Sequence, residues 1–437
     1  MASAFFKPPS RYAWGLSLAL AAALSGCGRE DIELSPGAGS PAEGPPPPEP
    51  DDCSAAVPSE LLLPRPPLGW NPYNAFECAP ALNEDKVKAN VDALVSSGMQ
   101  SAGYQYVNLD KCWEGPRSAN GERVLDPVRL PGGAARLADY IHQRGFSFGL
   151  FAPTQDCFEA PGGEGHEATD AATYAAWGVD YLKYVSCTPG PGDHGPVYRA
   201  MASALADVTR PIVLSIAAPP FAEWMPSTGQ LWRTSGNAAP EWGWLVRSID
   251  ETTPLAAYVR PGAFNDPDTL EVGNGTLAEG EQRVQFSVWS ILAAPLLAGN
   301  DLSQMSEATR SILTNSELIA LDQDALALQG SLVHREGDID VLAKPLTGCG
   351  ARGVVLWNRG TANAEVTLSW SQIWLSPGLA SVRDLWAGLE LTPSAEGITI
   401  AVPGHDAVAL RVVGNEPALP TGRSYLSDLE VTYAVNG

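Results

Sequence analysis

Tyr181-Leu182-Lys183-Tyr184-Val185-Ser186-Cys187 is the stretch that decides the fold. Aromatic and aliphatic residues surround one basic group, Lys183. The run reads as a buried strand that ends at a functional site. A lysine on such a strand is costly to bury unpaired, so a polar pocket is expected around it. Leu231-Trp232-Arg233-Thr234-Ser235-Gly236-Asn237 has the same character, with Arg233 inside and a polar end.

Outward from these two stretches, short apolar runs alternate with amphipathic ones. Strands are predicted at 69–71, 106–110, 148–152, 181–185, 212–217, 231–234, 263–265 and 296–299. Between them lie helical patterns. Asn83 is a plausible cap, Val87, Val91, Leu94 and Val95 share a face, and Gly98 ends the run. Thr276-Leu277-Ala278-Glu279 has capping-box spacing, and Val284, Val288, Ile291 and Leu292 then form one stripe. Eight strands alternating with helices over this length fit a (β/α)8 TIM barrel. A doubly wound open sheet has the same rhythm, but no Gly-x-Gly-x-x-Gly opens a helix after a strand. After about Gly330 the period changes to two, with strands expected at 339–343, 353–358, 364–369, 398–402 and 407–412. The expected fold class is α/β, with the pattern favouring a barrel over 58–329 above the open sheet, followed by a C-terminal antiparallel β-domain, expected as a β-sandwich, over 330–414.

The ends of the chain differ in kind. Lys7 and Arg11 precede an apolar run too short to span a bilayer, closed by Leu24-Ser25-Gly26-Cys27. Residues 1–27 read as a lipoprotein signal peptide with Cys27 lipidated; the alternative is an ordinary signal peptide with an incidental cysteine. Residues 28–57, centred on Gly44-Pro45-Pro46-Pro47-Pro48-Glu49-Pro50, read as a disordered, polyproline-type spacer. The expected location is the bacterial cell envelope, lipid-anchored, periplasmic or at the cell surface. Residues 415–437 read as a linker and either a tail strand or the start of a carbohydrate-binding module.

The 437-residue chain carries 50 acidic against 27 basic residues, a formal charge of -23. That excludes nucleic acid, and any membrane contact other than through the lipid anchor, because both surfaces demand clustered cations. It says little against a neutral sugar. The 5 His show no metal spacing, and nothing in the sequence calls for a cofactor or metal.

The blocks Leu68-Gly69-Trp70-Asn71, Tyr106-Val107-Asn108-Leu109-Asp110, Trp177-Gly178-Val179-Asp180-Tyr181-Leu182-Lys183-Tyr184, Trp232-Arg233-Thr234, Asn265-Asp266-Pro267-Asp268, and Ala293 through Leu302 follow in this order along the chain. Together they resemble the α-galactosidases (melibiases) of glycoside hydrolase family 27. The resemblance implies a barrel plus β-domain and recognition of terminal α-galactosides or related glycans. It also implies the disulfides Cys78–Cys112 and Cys157–Cys187, and leaves Cys53 and Cys349 as a possible third pair.

Retaining glycosidases need two carboxyl groups, a nucleophile and an acid/base. The resemblance implies an Asp directly after Lys183-Tyr184 and another after Ser235-Gly236. This chain has Val185 and Asn237 there. Valine has no lone pair with which to form a glycosyl ester, and an amide cannot shuttle a proton. Lys111 stands where the resemblance implies a second Asp, Tyr73 replaces a Trp, and Phe151 replaces a Tyr. Trp70, Tyr73, Asp110, Lys183, Arg233 and Asp268 remain as sugar-binding candidates. Asp110 is open to pairing with Lys111 or Arg233 instead, and Asp268 to capping its own loop. Without a carboxylate at 185, Asp110 is the natural partner of Lys183. Asp156, Glu223 and Glu241 are the candidates for relocated catalytic carboxylates. Three readings remain: a hydrolase, a sugar-binding protein with impaired or lost hydrolysis, and a structural or partner-binding lipoprotein.

Overall fold

The computed structural model describes residues 60–157, 160–187 and 194–417. Eight parallel strands form the barrel: β1 (Leu68–Trp70), β2 (Tyr106–Leu109), β3 (Ser147–Pro153), β4 (Tyr181–Val185), β5 (Val213–Ala217), β6 (Leu231–Arg233), β7 (Phe264–Asp266) and β8 (Leu296–Ala298). From β1 to β7 each strand pairs with its sequence neighbour, and β1 also pairs with β8. Closure between β7 and β8 runs through the residues after β7. The Leu270 N–H donates to the Leu297 carbonyl at 2.8 Å, and the Gly299 N–H donates to the Leu270 carbonyl at 3.0 Å.

Side chains alternate along β4. Leu182 and Tyr184 are fully buried outward in the large core, while Tyr181, Lys183 and Val185 face the barrel interior. The interior is layered. At the N-terminal end Tyr181, Val213, Leu231 and Phe264 pack with Leu63, Val259 and Ala327. Above them the filling turns polar, with Asn108, Lys183, Ser215, Arg233 and Asp266. Gly149, paired with Asn108, has no side chain because a Cβ there would stand 2.0 Å from Asn108 Oδ1.

The helix Glu84–Ser96 begins as the sequence requires, with Asn83 Oδ1 accepting the Lys86 N–H at 3.0 Å. The capping box expected at Thr276 does not form. The helix begins at Glu279, capped at Ala278 instead of Thr276, with the Glu281 carboxylate taking the Ala278 N–H, and Thr276 donates its hydroxyl to the Pro240 carbonyl. Nor does this helix bury a single stripe. All residues from Val284 to Ile291 are buried, because the helix lies between the barrel and the second domain.

That domain contains β9 (Ser331–Glu336), β10 (Ile339–Pro345), β11 (Ala351–Asn358), β12 (Ala364–Ser369), β13 (Ser376–Asp384), β14 (Leu389–Leu391), β15 (Gly397–Val402) and β16 (Ala407–Asn415). Six strands form an antiparallel sheet in the order β14-β13-β16-β11-β10-β9, and β12 and β15 form a second sheet. Val341, Val354, Leu356 and Val412 meet Val366, Leu368, Ile398 and Ile400 in the core between them. Leu342, Val355, Trp357 and Ala409 join the barrel core. The strands β9, β13 and β14 were not foreseen: β9 and β14 are edges, and β13 carries Pro377 and Gly378.

The disulfides Cys78–Cys112 and Cys157–Cys187 are formed. By the chain-entropy argument each loop closure is worth about 3–4 kcal/mol. Cys349 is also disulfide-bonded. Cys27, Cys53, the signal segment, the proline-rich spacer and the C-terminal tail lie outside the described residues.

Candidate functional site

A cavity of about 340 Å³ opens at the C-terminal ends of the barrel strands. This is the end at which barrel enzymes keep their sites. Tyr73, Asp110, Lys183, Arg233 and Asp268 all line it, as do Val185 and Asn237. Trp70 does not. It shares the face of β1 with Leu68, is fully buried, and donates its indole N–H to the Asn300 carbonyl at 2.9 Å. Asn71, one residue on, faces the cavity instead.

Four buried charges form one chain. Lys183 Nζ stands 3.1 Å from Asp110 Oδ2 and 3.7 Å from Asp268 Oδ1. Arg233 Nη2 stands 2.9 Å from Asp268 Oδ2. Asp110 also accepts from Asn71 Nδ2 at 2.8 Å and from the Lys111 backbone N–H at 2.9 Å. Burial by itself would raise the Asp110 carboxyl, but Lys183, Asn71 and the Lys111 N–H outweigh it and hold the group below its ordinary value. Burial likewise opposes ionisation of Asp268, and Arg233 and Lys183 reverse that. Burial would lower Lys183, and the two aspartates raise it. Asp266, deeper in the barrel, is pushed up by burial, with Asp268 adding to the effect. The partner of Asp110 is thus Lys183, and not Lys111 or Arg233 through its side chain. The Lys111 ammonium lies 4.2 Å from the centre of the Tyr73 ring, at the cavity wall.

Asp268 has a second task. Its φ of 82° is in the left-handed region. Its Oδ2 accepts the Ala238 N–H at 2.8 Å, while Arg233 Nη2 donates to the Ser235 carbonyl at 3.1 Å and to that of Gly236. The Arg233–Asp268 pair therefore holds the loop that carries Asn237.

The rest of the wall is apolar. Phe151, Val185, Ala217, Ala218 and Pro219 contribute to it. Across the β4 pairing, Val185 sits beside Pro153 on one side and Ala217 on the other. Among the described residues, Asp110 and Asp268 are the carboxylates that line the cavity, and Asp156, Glu223 and Glu241 do not. Asp156 instead accepts the Gly162 N–H at 2.7 Å, and Glu241 precedes the helix Trp242–Thr252. Because both reach one ammonium, the Asp110 Oδ2 and Asp268 Oδ1 atoms lie no more than about 7 Å apart, a bound that takes in the spacing of a retaining pair. Both are held ionised, however, so neither is poised as a general acid. No cluster of three or more metal-ligating side chains occurs among the described residues.

Sequence reasoning assigned no role to Asn71, Asn74, Ser186 or Thr269, all of which line the cavity. Asn71 was legible: it follows Gly69 at the period-two spacing that faces the interior.

The family model described as alpha galactosidase A matches residues 65–324, and that of the alpha galactosidase C-terminal beta sandwich domain matches residues 336–412. The chain is 40% identical over 349 residues to an alpha-galactosidase of Oryza sativa subsp. japonica, covering 78% of this chain and 83% of that one. It is 37% identical over 381 residues to alpha-galactosidase A of Cellvibrio japonicus, covering 81% and 93%. The crystal structure of alpha-galactosidase I from Mortierella vinacea superposes with a TM-score of 0.77 at 28% identity, covering 83% of this chain and 100% of that one.

Proposed function

The chain belongs to the alpha-galactosidase family, and from that premise we propose that it recognises terminal α-galactosides or related α-glycosides without the family's retaining hydrolysis. The observation that carries the reading is the division of the cavity wall. Its polar side is a hydrogen-bonding network of Asn71, Asp110, Lys183, Arg233 and Asp268. Where a nucleophile and a proton shuttle would be needed stand Val185 and Asn237. Ionised carboxylates beside ammonium and guanidinium groups suit vicinal sugar hydroxyls, which both donate and accept. Tyr73 adds an aromatic face. Loss of a single nucleophile costs a hydrolase about 10⁶ in rate, and here the acid/base position is an amide as well.

One observation favours hydrolysis by relocated carboxylates, namely the approach of Asp110 and Asp268. Against it, both are salt-bridged and ionised, and a retaining mechanism needs one of the pair protonated. The Leu24-Ser25-Gly26-Cys27 motif and the proline-rich segment behind it support placement of the domain on the cell envelope by a lipid anchor.

The test combines calorimetry with methyl α-galactoside and turnover of p-nitrophenyl α-galactoside, on the purified protein and its Asp110→Ala variant. Binding that is lost in the variant, with no turnover above buffer, is the expected result. Turnover that depends on Asp110 would overturn the reading in favour of a relocated mechanism.

A further inference from the structure

Directly after Val185, Ser186 lines the same cavity, and its Oγ lies 3.2 Å from Nδ1 of His194, the residue that precedes the helix Gly195–Ala206. Neither residue belongs to the charged network. The backbone N–H of Ser186 is tied to the Ala217 carbonyl at 3.0 Å, which fixes the serine at the end of β4. A hydroxyl within hydrogen-bond reach of an imidazole is the arrangement that activates a nucleophile.

We propose that Ser186 and His194 are a nucleophile–base pair acting on an O-acyl ester carried by the sugar in this cavity. The identity of that sugar rests on the galactoside reading; the pair does not. Ester cleavage suits the cavity for three reasons. First, one imidazole can serve as base and then as acid, so the chemistry needs no second carboxyl group. Glycoside cleavage does need one, and Asn237 cannot provide it. Second, Val185 puts an alkyl group beside Ser186, where a carboxylate would repel the oxyanion formed by addition to a carbonyl. Third, Val185, Ala217, Ala218, Pro219 and Phe151 give the small alkyl end of an acyl group an apolar wall. Donors for the oxyanion line the same cavity in Lys183 and the Asn237 amide, which has no hydrogen bond among the described residues.

The step balances. With its own proton on Nε2, His194 takes the Ser186 hydroxyl proton at Nδ1 as Oγ adds to the ester carbonyl. The bond between the acyl carbon and the sugar oxygen breaks, and the sugar oxygen takes the proton from Nδ1. Water then adds to the acyl-serine, giving its proton to Nδ1. Collapse releases a carboxylic acid and returns the proton to Ser186. The substrate class is an O-acylated hexopyranoside, with acetyl as the acyl group of matching size.

Three measurements on the purified protein test the pair. An aryl fluorophosphonate is applied and the labelled peptide located by mass spectrometry. Acetate release from O-acetylated methyl α-galactoside is followed by proton NMR. Binding of methyl α-galactoside is read by calorimetry. The expected result is a label on Ser186, absent in Ser186→Ala and formed at least about 10²-fold more slowly in His194→Gln, with acetate release falling in parallel. No label on Ser186 and no acetate release above buffer from the unsubstituted protein would overturn the pair, whatever its variants do. Galactoside binding without labelling sinks the pair and leaves the sugar reading standing. Labelling without galactoside binding supports the pair and removes the galactoside as its carrier.

Discussion

Replacement of Lys183 by Met gives the most direct measure of the charged network. The substitution keeps a linear apolar stem and removes the ammonium that lies 3.1 Å from Asp110 and 3.7 Å from Asp268. At an effective dielectric of about 20 these contacts are worth about 5 and about 4.5 kcal/mol. Relief of the cost of burying the ammonium offsets part of that, and breaking one side of a buried ion pair costs about 3–5 kcal/mol overall. The pH dependence identifies the cause. In the unsubstituted protein the Asp110 carboxyl is held below its ordinary value, so its stabilisation is present above the unfolded pKa and is lost only in acid, as pH falls through the folded pKa. Between pH 5 and 8 that contribution is constant. In Lys183→Met burial, which disfavours the Asp110 carboxylate, loses its main opponent, and the carboxyl rises above its unfolded value. Its penalty then grows as pH rises through the new folded pKa. Urea denaturation followed by tryptophan fluorescence at both pH values should show the loss of about 3–5 kcal/mol at pH 8 and a smaller loss at pH 5. A loss below about 1 kcal/mol at pH 8, or an equal loss at both pH values, refutes a Lys183 that neutralises two buried carboxylates.

Other expectations are independent of that one. Val185→Asp with Asn237→Asp places carboxyl groups at both positions where the resemblance implies them, on a strand end and a loop that are already held; p-nitrophenyl α-galactoside turnover should rise at least about 10³-fold over either single variant, and equal rates in all three would show that the cavity does not seat the substrate for attack. The Glu114 carboxyl is raised from 4.5 to about 7, first by burial, which outweighs the lowering by nearby backbone N–H groups and Arg123. Its neutral form favours folding, so that stability is full below pH 4.5 and is lost as pH rises through about 7; Glu114→Gln should be worth up to about 3 kcal/mol at pH 8 and little at pH 4.5 in thermal unfolding, and a pH-independent effect would contradict this. Gly149→Ala, which forces a Cβ to 2.0 Å from Asn108 Oδ1, should destabilise by about 1–3 kcal/mol, and an unchanged denaturation midpoint would mean that Asn108 can move aside.

The barrel was legible because its strands are buried on both faces and stand out as apolar runs between amphipathic helices. Tyr181–Val185 emerges with the predicted ends, since Gly178 precedes it and a polar Ser186 follows. Strands β9 and β13 were hidden for the opposite reason. No residue of β9 is fully buried and in β13 only Val382 is, with charged residues or Pro and Gly where an interior strand would carry aliphatics. Their pairing is settled by β10 and β16, not by their own composition. At the site, the residue types were readable and their partners were not. Lys183 demanded an anion, but only the folded barrel brings Asp268, 85 positions further on, to the same ammonium as Asp110. Trp70 and Asn71 show the limit from the other side, because strand alternation sends the conspicuous tryptophan outward and the modest asparagine into the cavity.

The buried charges bear on whether the cavity is vestigial. A buried ion network is a poor way to stabilise a fold, since removing four charges from water costs most of what their attraction returns, and well-packed apolar residues often do better. Part of the present network does hold structure: Arg233 and Asp268 tie down the Ser235–Ala238 loop and secure a left-handed Asp268. That role accounts for one pair. It does not account for Lys183 and Asp110, which hold no loop of comparable strain and whose contacts, apart from each other and Asp268, are to Asn71 and a neighbouring N–H. A scaffold with no ligand would lose nothing by exchanging them together for apolar side chains. The double substitution Asp110→Leu with Lys183→Met separates these roles. If the pair serves the fold, unfolding midpoints drop as far as in Lys183→Met alone. If it serves a ligand, most of that stability returns while galactoside binding stays lost.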